Sequence, residues 1–469
     1  MPVAYAGYPA PVVREQPGSK KKVKQLLWGD WLTLTGAVEK GWVEVEKARG
    51  AHGWMREEDV QTERLLELNF VDVGQGDGCF IVTPEDRRIL IDAGRADNMF
   101  WYLRWRFNLR EHPDWTVRID DALISHPDAD HYEGFRPLFE DPHFEFGNVY
   151  HNGLVDHAHG NRLGATVPDG GHDFFTELYS TTDELRAALP GLNPSGRLMY
   201  PKLLQEALDG GRVANIQSVS TQDGHLPDFT AAPLAIKLLG PLLEFPGGTP
   251  GLRDLGDEGV TKNGHSIVML LTYGNVRMLL GGDLNAESMD LLLQAHQGAN
   301  DNAFKADVAK ACHHGSGDVS APFVQGINAL ATIISSGDDE SYSHPRPDAL
   351  GLLGKHGRGD RPLIFSTELA RSSREMIEVP HLIQAVKSDE LDEARRAIIA
   401  TGSTDSEKPN RTAARFQRAV AVYGMICVRT DGKRVVLAQK LEREAAGKSW
   451  DVHCLVDGPN GLVYAPGDS

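Results

Sequence analysis

Ser125-His126-Pro127-Asp128-Ala129-Asp130-His131 is the stretch on which the reading of this chain turns. It follows Asp121-Ala122-Leu123-Ile124, a short apolar run with the length of a buried strand. Four side chains able to ligate a metal, His126, Asp128, Asp130 and His131, stand at that strand end, where a loop can aim them at one point. A polar loop that merely caps the helix expected from Tyr132 needs one such residue. Metal binding uses all four, with His126 and Asp128 expected at one ion and Asp130 and His131 at its neighbour.

The same pattern recurs outward from this loop. Leu68-Asn69-Phe70-Val71-Asp72-Val73 and Gly78-Cys79-Phe80-Ile81-Val82 read as strands joined by Gly74-Gln75-Gly76-Asp77. Arg88-Ile89-Leu90-Ile91-Asp92-Ala93-Gly94 is a third, and residues 98–112 read as a helix. Asp72, Asp77 and Asp92 are thus strand-end acids. Asp92 is expected to orient a histidine ligand rather than to ligate. Met278-Leu279-Leu280-Gly281-Gly282-Asp283 ends an apolar strand in a carboxylate able to bridge two ions, or equally in a helix cap. Ala311-Cys312-His313-His314-Gly315-Ser316 and Ser343-His344-Pro345 add histidines at two further strand ends. Asn263-Gly264-His265-Ser266 precedes another strand and offers a ligand, a substrate contact or a plain turn. Strands alternating with helices between 266 and 335 imply an α/β layered core.

The remainder of the chain bounds the possibilities. At 469 residues it is long enough for two or three domains, and 41% hydrophobic with 24% charged residues is globular composition. Residues 1–19, with prolines, glycines and no periodicity, read as a flexible leader without a signal-peptide pattern. Lys20-Lys21-Lys22-Val23-Lys24 reads as a solvated lead into the first strand. Residues 20–63 hold short strand-like runs punctuated by Trp28-Gly29-Asp30, Gly41-Trp42 and Gly53-Trp54, with Trp42 and Trp54 expected in a very small core. Residues 64–469 form the main domain, interrupted at about 152–260 by a loop-rich insertion expected to shape a substrate cleft. A C-terminal hairpin is expected from Val420 to Arg429 and Lys433 to Gln439. No stretch has the roughly 18–20 continuous apolar residues of a membrane span. Cys79, Cys312, Cys427 and Cys454 are widely spaced without a CxxC pair, which fits a reducing cytoplasm. The net charge of −18 counts mildly against a nucleic-acid substrate, although bound divalent ions would reverse the sign locally.

His126 to His131 resembles the H-x-H-x-D-H signature of metallo-β-lactamase-fold hydrolases, with Asp128 where the second histidine usually stands. The ordered series Asp72 to Asp77, Leu90 to Gly94, Ser125 to Gly134, Asn263 to Ser266, Gly282-Asp283, His313 to Ser316 and Ser343 to Pro345 is similar to the hydrolase domain of ComEC-type competence proteins and their soluble relatives. The N-terminal module resembles a bacterial SH3-like barrel. These resemblances imply a four-layer αβ/βα sandwich preceded by a small all-β domain; the sequence departs from the competence proteins in lacking their membrane channel. They imply two divalent metal ions, Zn²⁺ or Mn²⁺, held by His126, Asp128, Asp130, His131, a bridging Asp283, His344 and a ligand from the Asn263–His265 segment, for which His265 is the candidate. Asp72, Asp92 and Asn263 would support the ligands. A hydroxide between the ions would attack, oriented by Asp130. His313 or His314 would be a ligand or an acid near the leaving group, with Lys310 a weaker donor. The activity implied is that of a phosphodiesterase, foremost a nuclease on DNA. A small phosphodiester such as a cyclic nucleotide, or a lactone, is the alternative substrate. A scaffold whose SH3-like module docks a protein or peptide, above a degenerate metal site, is the alternative from another class.

Overall fold

In the computed structural model, residues 3–47, 51–297, 302–337, 342–367, 424–445 and 448–465 are described. Among them the strands form two large sheets, a seven-stranded N-terminal sheet and a small three-stranded patch. The first large sheet runs, edge to edge, Val213–Ser218, Phe144–His151, Val117–Leu123, Arg88–Ile91, Cys79–Val82, Leu66–Phe70, Ile426–Thr430, Val435–Ala445, Lys448–Gly458 and Gly461–Ala465. The second runs His225–Ala231, Leu234–Gly240, Val268–Tyr273, Val276–Leu280, Val308–Lys310, Ala331–Ile334 and Leu363–Ser366.

Side-chain alternation decides how these sheets stack. Along Leu66–Phe70, Leu66, Leu68 and Phe70 join Ile89, Leu123, Ile236, Met269, Met278 and Ile333 in one buried cluster, so the two sheets pack face to face. The opposite face of the first sheet, with Phe80, Leu90 and Ile119, is covered by Met99 and Leu103 of the helix Asn98–Arg106 and Leu203 of the helix Met199–Asp209. The outer face of the second, with Val268, Leu270 and Leu279, is covered by Met289 of Ala286–Ala295 and Phe323 of Ala321–Ile327. The order helix, sheet, sheet, helix is the four-layer sandwich expected.

Three expectations are corrected. In the leader expected at residues 1–19, the described residues from Val3 on are not flexible: Val3–Ala6 and Val12–Arg14 are strands of the N-terminal sheet, and Ala6 and Val13 lie in its core. Trp42 and Trp54 are only half-buried; the small core is Val13, Leu26, Leu32, Val43, Val45 and Met55. Residues 152–260 are not one appended insertion. Val213–Ser218 pairs in parallel with Phe144–His151 in the first sheet, and Leu234–Gly240 pairs with Val268–Tyr273 in the second. What is added to the sandwich's sheets there is the patch Thr166–Asp169, His172–Phe175 and Leu252–Arg253. The C-terminal hairpin pairs Ile426–Thr430 with Val435–Ala445, while residues 420–423 of that expectation lie outside the described residues. No helix among the described residues is long and apolar enough to cross a membrane.

Candidate metal centre

The loops that leave the C-terminal ends of parallel neighbours Arg88–Ile91 and Val117–Leu123 meet those of the second sheet at one edge of the sandwich. His126 and His131 come from the first sheet, Asp283 and His314 from the second. Asp128 precedes the short helix Ala129–Tyr132 without making a side-chain cap bond, so the polar loop is not spent on capping. The helix after Asp283 is capped by Asn285 in a capping box, which leaves the Asp283 carboxylate to the centre. Gly282 lets that turn close: its φ is +55°, and a Cβ there would lie 2.6 Å from Ser266 Cβ.

Three imidazoles converge on Asp283, and each has its other ring nitrogen occupied. His131 Nδ1 lies 2.9 Å from Asp92 Oδ2. His314 Nδ1 lies 3.0 Å from the Ser335 carbonyl. His126 Nδ1 lies 3.0 Å from Ser125 Oγ and 3.3 Å from Ser266 Oγ. A carbonyl can only accept, so Nδ1 of His314 carries a proton, and Nε2 is the nitrogen that a metal ion would take in exchange for a proton. The Nε2 atoms of His126, His131 and His314 are all buried without a hydrogen-bond partner. His131 Nε2 and His314 Nε2 lie 3.2 and 2.9 Å from Asp283 Oδ2, contacts of charge rather than of hydrogen-bond geometry. Orphaned imidazole nitrogens around a buried carboxylate fit a metal ion, because each would otherwise cost desolvation with no return.

Among the described residues, four overlapping sets have ligand atoms within 4.8 Å of one another: His126, His131 and Asp283; Asp130, His131 and His314; Asp77, Asp92 and His131; Asp77, Asp283 and His314. Electrostatics follow from this crowding. Burial opposes charge on His314, but Asp283 and Asp77 outweigh it and raise its pKa to about 10. Burial also opposes charge on His131, and Asp283 and Asp92 raise it well above the usual imidazole range. Burial and neighbouring His131 push His126 well below it. Asp283 is held well below the ordinary carboxylate range: burial works the other way, but His314, His131 and Lys310 prevail.

The remaining candidates divide. Asp128 borders the cluster, with Oδ2 3.9 Å from His126 Nε2 and Oδ1 4.0 Å from Lys262 Nζ, and burial raises its carboxyl to about 6. His344 stands outside the four sets: its ring centroid is 5.5 Å from that of His313 and 6.4 Å from that of His314, so these rings form a rim. His265 is turned away from the centre, with Nε2 2.7 Å from the Arg253 carbonyl, and so ties the added patch to the core instead of ligating. Asn263 acts through its backbone, whose carbonyl accepts the Ser266 hydroxyl that supports His126. Asp72 folds back on its own loop, where Oδ1 accepts the Gly74 N–H. Asp77, a strand-end acid given no role in the sequence reading, stands beside His314, with Oδ1 3.2 Å from its Nδ1. Lys310 is buried against Gly282, Asp77 and Asp283, which removes it from any leaving group.

Two mixed sheets packed face to face, helices outside, and a histidine–aspartate cluster on the loops of one edge define the class: this is the metallo-β-lactamase fold. The chain is similar to ComE operon protein 3 of Bacillus subtilis, 27% identical over 304 residues. That match takes in 62% of this chain and 31% of the relative, so the chain spans under a third of that protein's length. Among solved structures it is similar to a metal-dependent hydrolase of the β-lactamase superfamily, at 12% identity over 64% of this chain and 95% of the other, with a TM-score of 0.33. It is also similar to Zn²⁺-bound PqqB from Methylobacterium extorquens, at 10% identity over 62% and 85%, with a TM-score of 0.32. No family model matches the chain.

Proposed function

We propose that this chain is a metal-dependent hydrolase acting as a phosphodiesterase, with DNA as its foremost substrate. The observation that carries the hydrolase reading is the set of three buried, unpartnered Nε2 atoms around Asp283. His126, His131, His314, Asp283 and Asp130 would hold two divalent ions, Zn²⁺ or Mn²⁺, with Asp128 at the border of the set. Bound there, such ions supply positive charge to an attacked phosphoryl oxygen and acidify water. The chain's own residues do the positioning. Asp92 and the Ser335 carbonyl hold two rings in the tautomer that presents Nε2. Asp130, less buried than the histidines, orients the attacking water. His313, whose Nδ1 is buried without a partner at the rim, is placed to pass a proton to the leaving oxygen.

DNA enters this proposal through the resemblance to ComEC-type proteins. A small phosphodiester is favoured by a different observation: the chain's net charge of −18 repels a polyanion. A protein or peptide partner of the N-terminal module is proposed for the cleft of about 1020 Å³ lined by Trp31, Trp105, Trp115 and Trp450.

The test is metal analysis with turnover of bis-p-nitrophenyl phosphate, then single-stranded DNA, duplex DNA and cyclic nucleotides in parallel. Two ions bound with DNA turned over is the expected result. Ions bound with only cyclic nucleotides cleaved would replace the substrate, and a chain that binds no divalent ion would leave the scaffold.

A further inference from the structure

Asp283 has its two oxygens divided between different neighbours. Oδ2 lies 3.2 Å from His131 Nε2 and 2.9 Å from His314 Nε2. Oδ1 lies 3.4 Å from the ammonium of Lys310. That ammonium also donates to the Gly282 carbonyl at 2.8 Å and pairs with Asp77, whose other oxygen lies 3.2 Å from His314 Nδ1. Lys310 is 5% exposed, at the end of the strand Val308–Lys310, so nothing in solvent competes for it. A fully buried lysine is rare and is retained only where its charge is paired.

We propose that Lys310 is a positioning residue of the metal centre, which holds Asp283 by Oδ1 so that Oδ2 alone is presented between His131 and His314. The inference rests on the metal-hydrolase reading. The cation meets Asp283 through Oδ1, while the two rings meet Oδ2, and it is itself pinned by Asp77 and by the carbonyl of the residue before Asp283. A carboxylate free to rotate would offer either oxygen, or both, to ions on its histidine side. Pinning one oxygen fixes the plane of the group before substrate arrives, which is preorganisation of a donor within a dry site. Lys310 thereby acts on metal binding in two opposed ways. It orders a ligand, and its own positive charge repels an incoming divalent ion.

That opposition makes the test specific. Metal titration calorimetry on metal-stripped protein is run beside kinetics on bis-p-nitrophenyl phosphate, for wild type and Lys310→Met. The expected result is tighter metal binding, by about tenfold or more because a buried like charge is gone, together with kcat down roughly 10- to 100-fold at a KM within about twofold. A merely structural lysine would weaken binding and turnover together, and that outcome overturns the proposal, as does unchanged kcat. If Lys310→Met does not fold, Asp77→Asn/Lys310→Met removes the pair without leaving a buried charge alone; kcat should still fall, and wild-type turnover in that variant overturns the proposal. Wild type that binds no divalent ion refutes the metal reading itself, a result distinct from either.

Discussion

His131 and Asp92 are joined at 2.9 Å from Nδ1 to Oδ2, and the other oxygen of Asp92 accepts the Ser125 N–H at 2.8 Å. One buried carboxylate thus holds both the ring and the backbone of the loop that carries it. Asp92 stands just after the strand Arg88–Ile91 with φ +54°, a left-handed conformation that costs an aspartate less than most residues. The turn brings its carboxylate back across to the neighbouring strand's loop.

Asp92→Ala should therefore weaken metal binding without removing a ligand. A loss of about 10- to 100-fold in affinity is expected, since the ring keeps its Nε2 but loses its tautomer and aim. Metal titration of the folded variant measures this. Wild-type affinity would show that the ring is held by the loop alone.

Asp283→Ala should abolish turnover and lower the occupancy of both ions, because Asp283 shares donor sets with His126 and His131 and with Asp77 and His314. His314→Ala should also lose metal, because its Nδ1 is committed to the Ser335 carbonyl and its Nε2 faces Asp283. Metal analysis beside kinetics separates the roles: full metal content with slow turnover in His314→Ala would make that ring an acid rather than a ligand.

The strand ends were legible in the sequence because each apolar run stops at a histidine or aspartate, and a strand end is where a sandwich opens. Which acid enters was not. Asp72 and Asp77 flank one glycine turn, and the choice is made by Gly76, at φ +107°, where a Cβ would fall 1.7 Å from the Asp130 carbonyl. That approach lays the turn against the His126 loop; both acids are buried, but Asp77, not Asp72, reaches the donor sets of the centre. Lys310 was misplaced because all three residues of Val308–Lys310 are buried, so the strand shows no alternation to read. Val213–Ser218 was lost in the presumed insertion for a related reason: its buried apolar residues, Val213 and Ile216, are three apart and follow no strand period. His265 precedes a strand where the metal-facing residues follow theirs, and the Arg253 carbonyl, brought by a distant segment, holds its ring away from the centre.

His151 supplies a pH dependence outside the centre. It is buried, its Nδ1 accepts the Gly153 N–H at 3.2 Å, and its Nε2 has no partner. Burial lowers its pKa to about 4. Between that value and the unfolded imidazole pKa of about 6.5 the unfolded chain binds one proton more than the folded one, so stability rises with pH across this window and is lost as pH falls through it. The full effect is on the order of 3 kcal/mol. Urea unfolding from pH 7 to 4 should show a smaller decline in His151→Gln than in wild type. Parallel declines would mean that His151 titrates normally.

The N-terminal sheet should prove inseparable from the sandwich, because its key contact is a buried charge. Arg429, in the first sheet, is 3% exposed and meets Asp30 Oδ1 at 3.0 Å and the Trp28 carbonyl at 2.7 Å. Glu67 lies 3.5 Å away on its other side but also pairs with Arg106 at 2.9 Å. Leu27 and Trp28 meanwhile belong to the core cluster of the sandwich, not to that of the N-terminal sheet. Asp30→Ala leaves Arg429 buried with a shared counter-charge, and breaking a buried pair in this way costs about 3–5 kcal/mol. Asp30→Asn, which keeps an acceptor for the guanidinium, should lose less. Removing residues 1–61 deletes Asp30 and Trp28 together, so the truncated chain should unfold at lower urea than either point variant. A truncated chain as stable as wild type would show that the two parts fold independently and that Arg429 finds its charge balance in Glu67 alone.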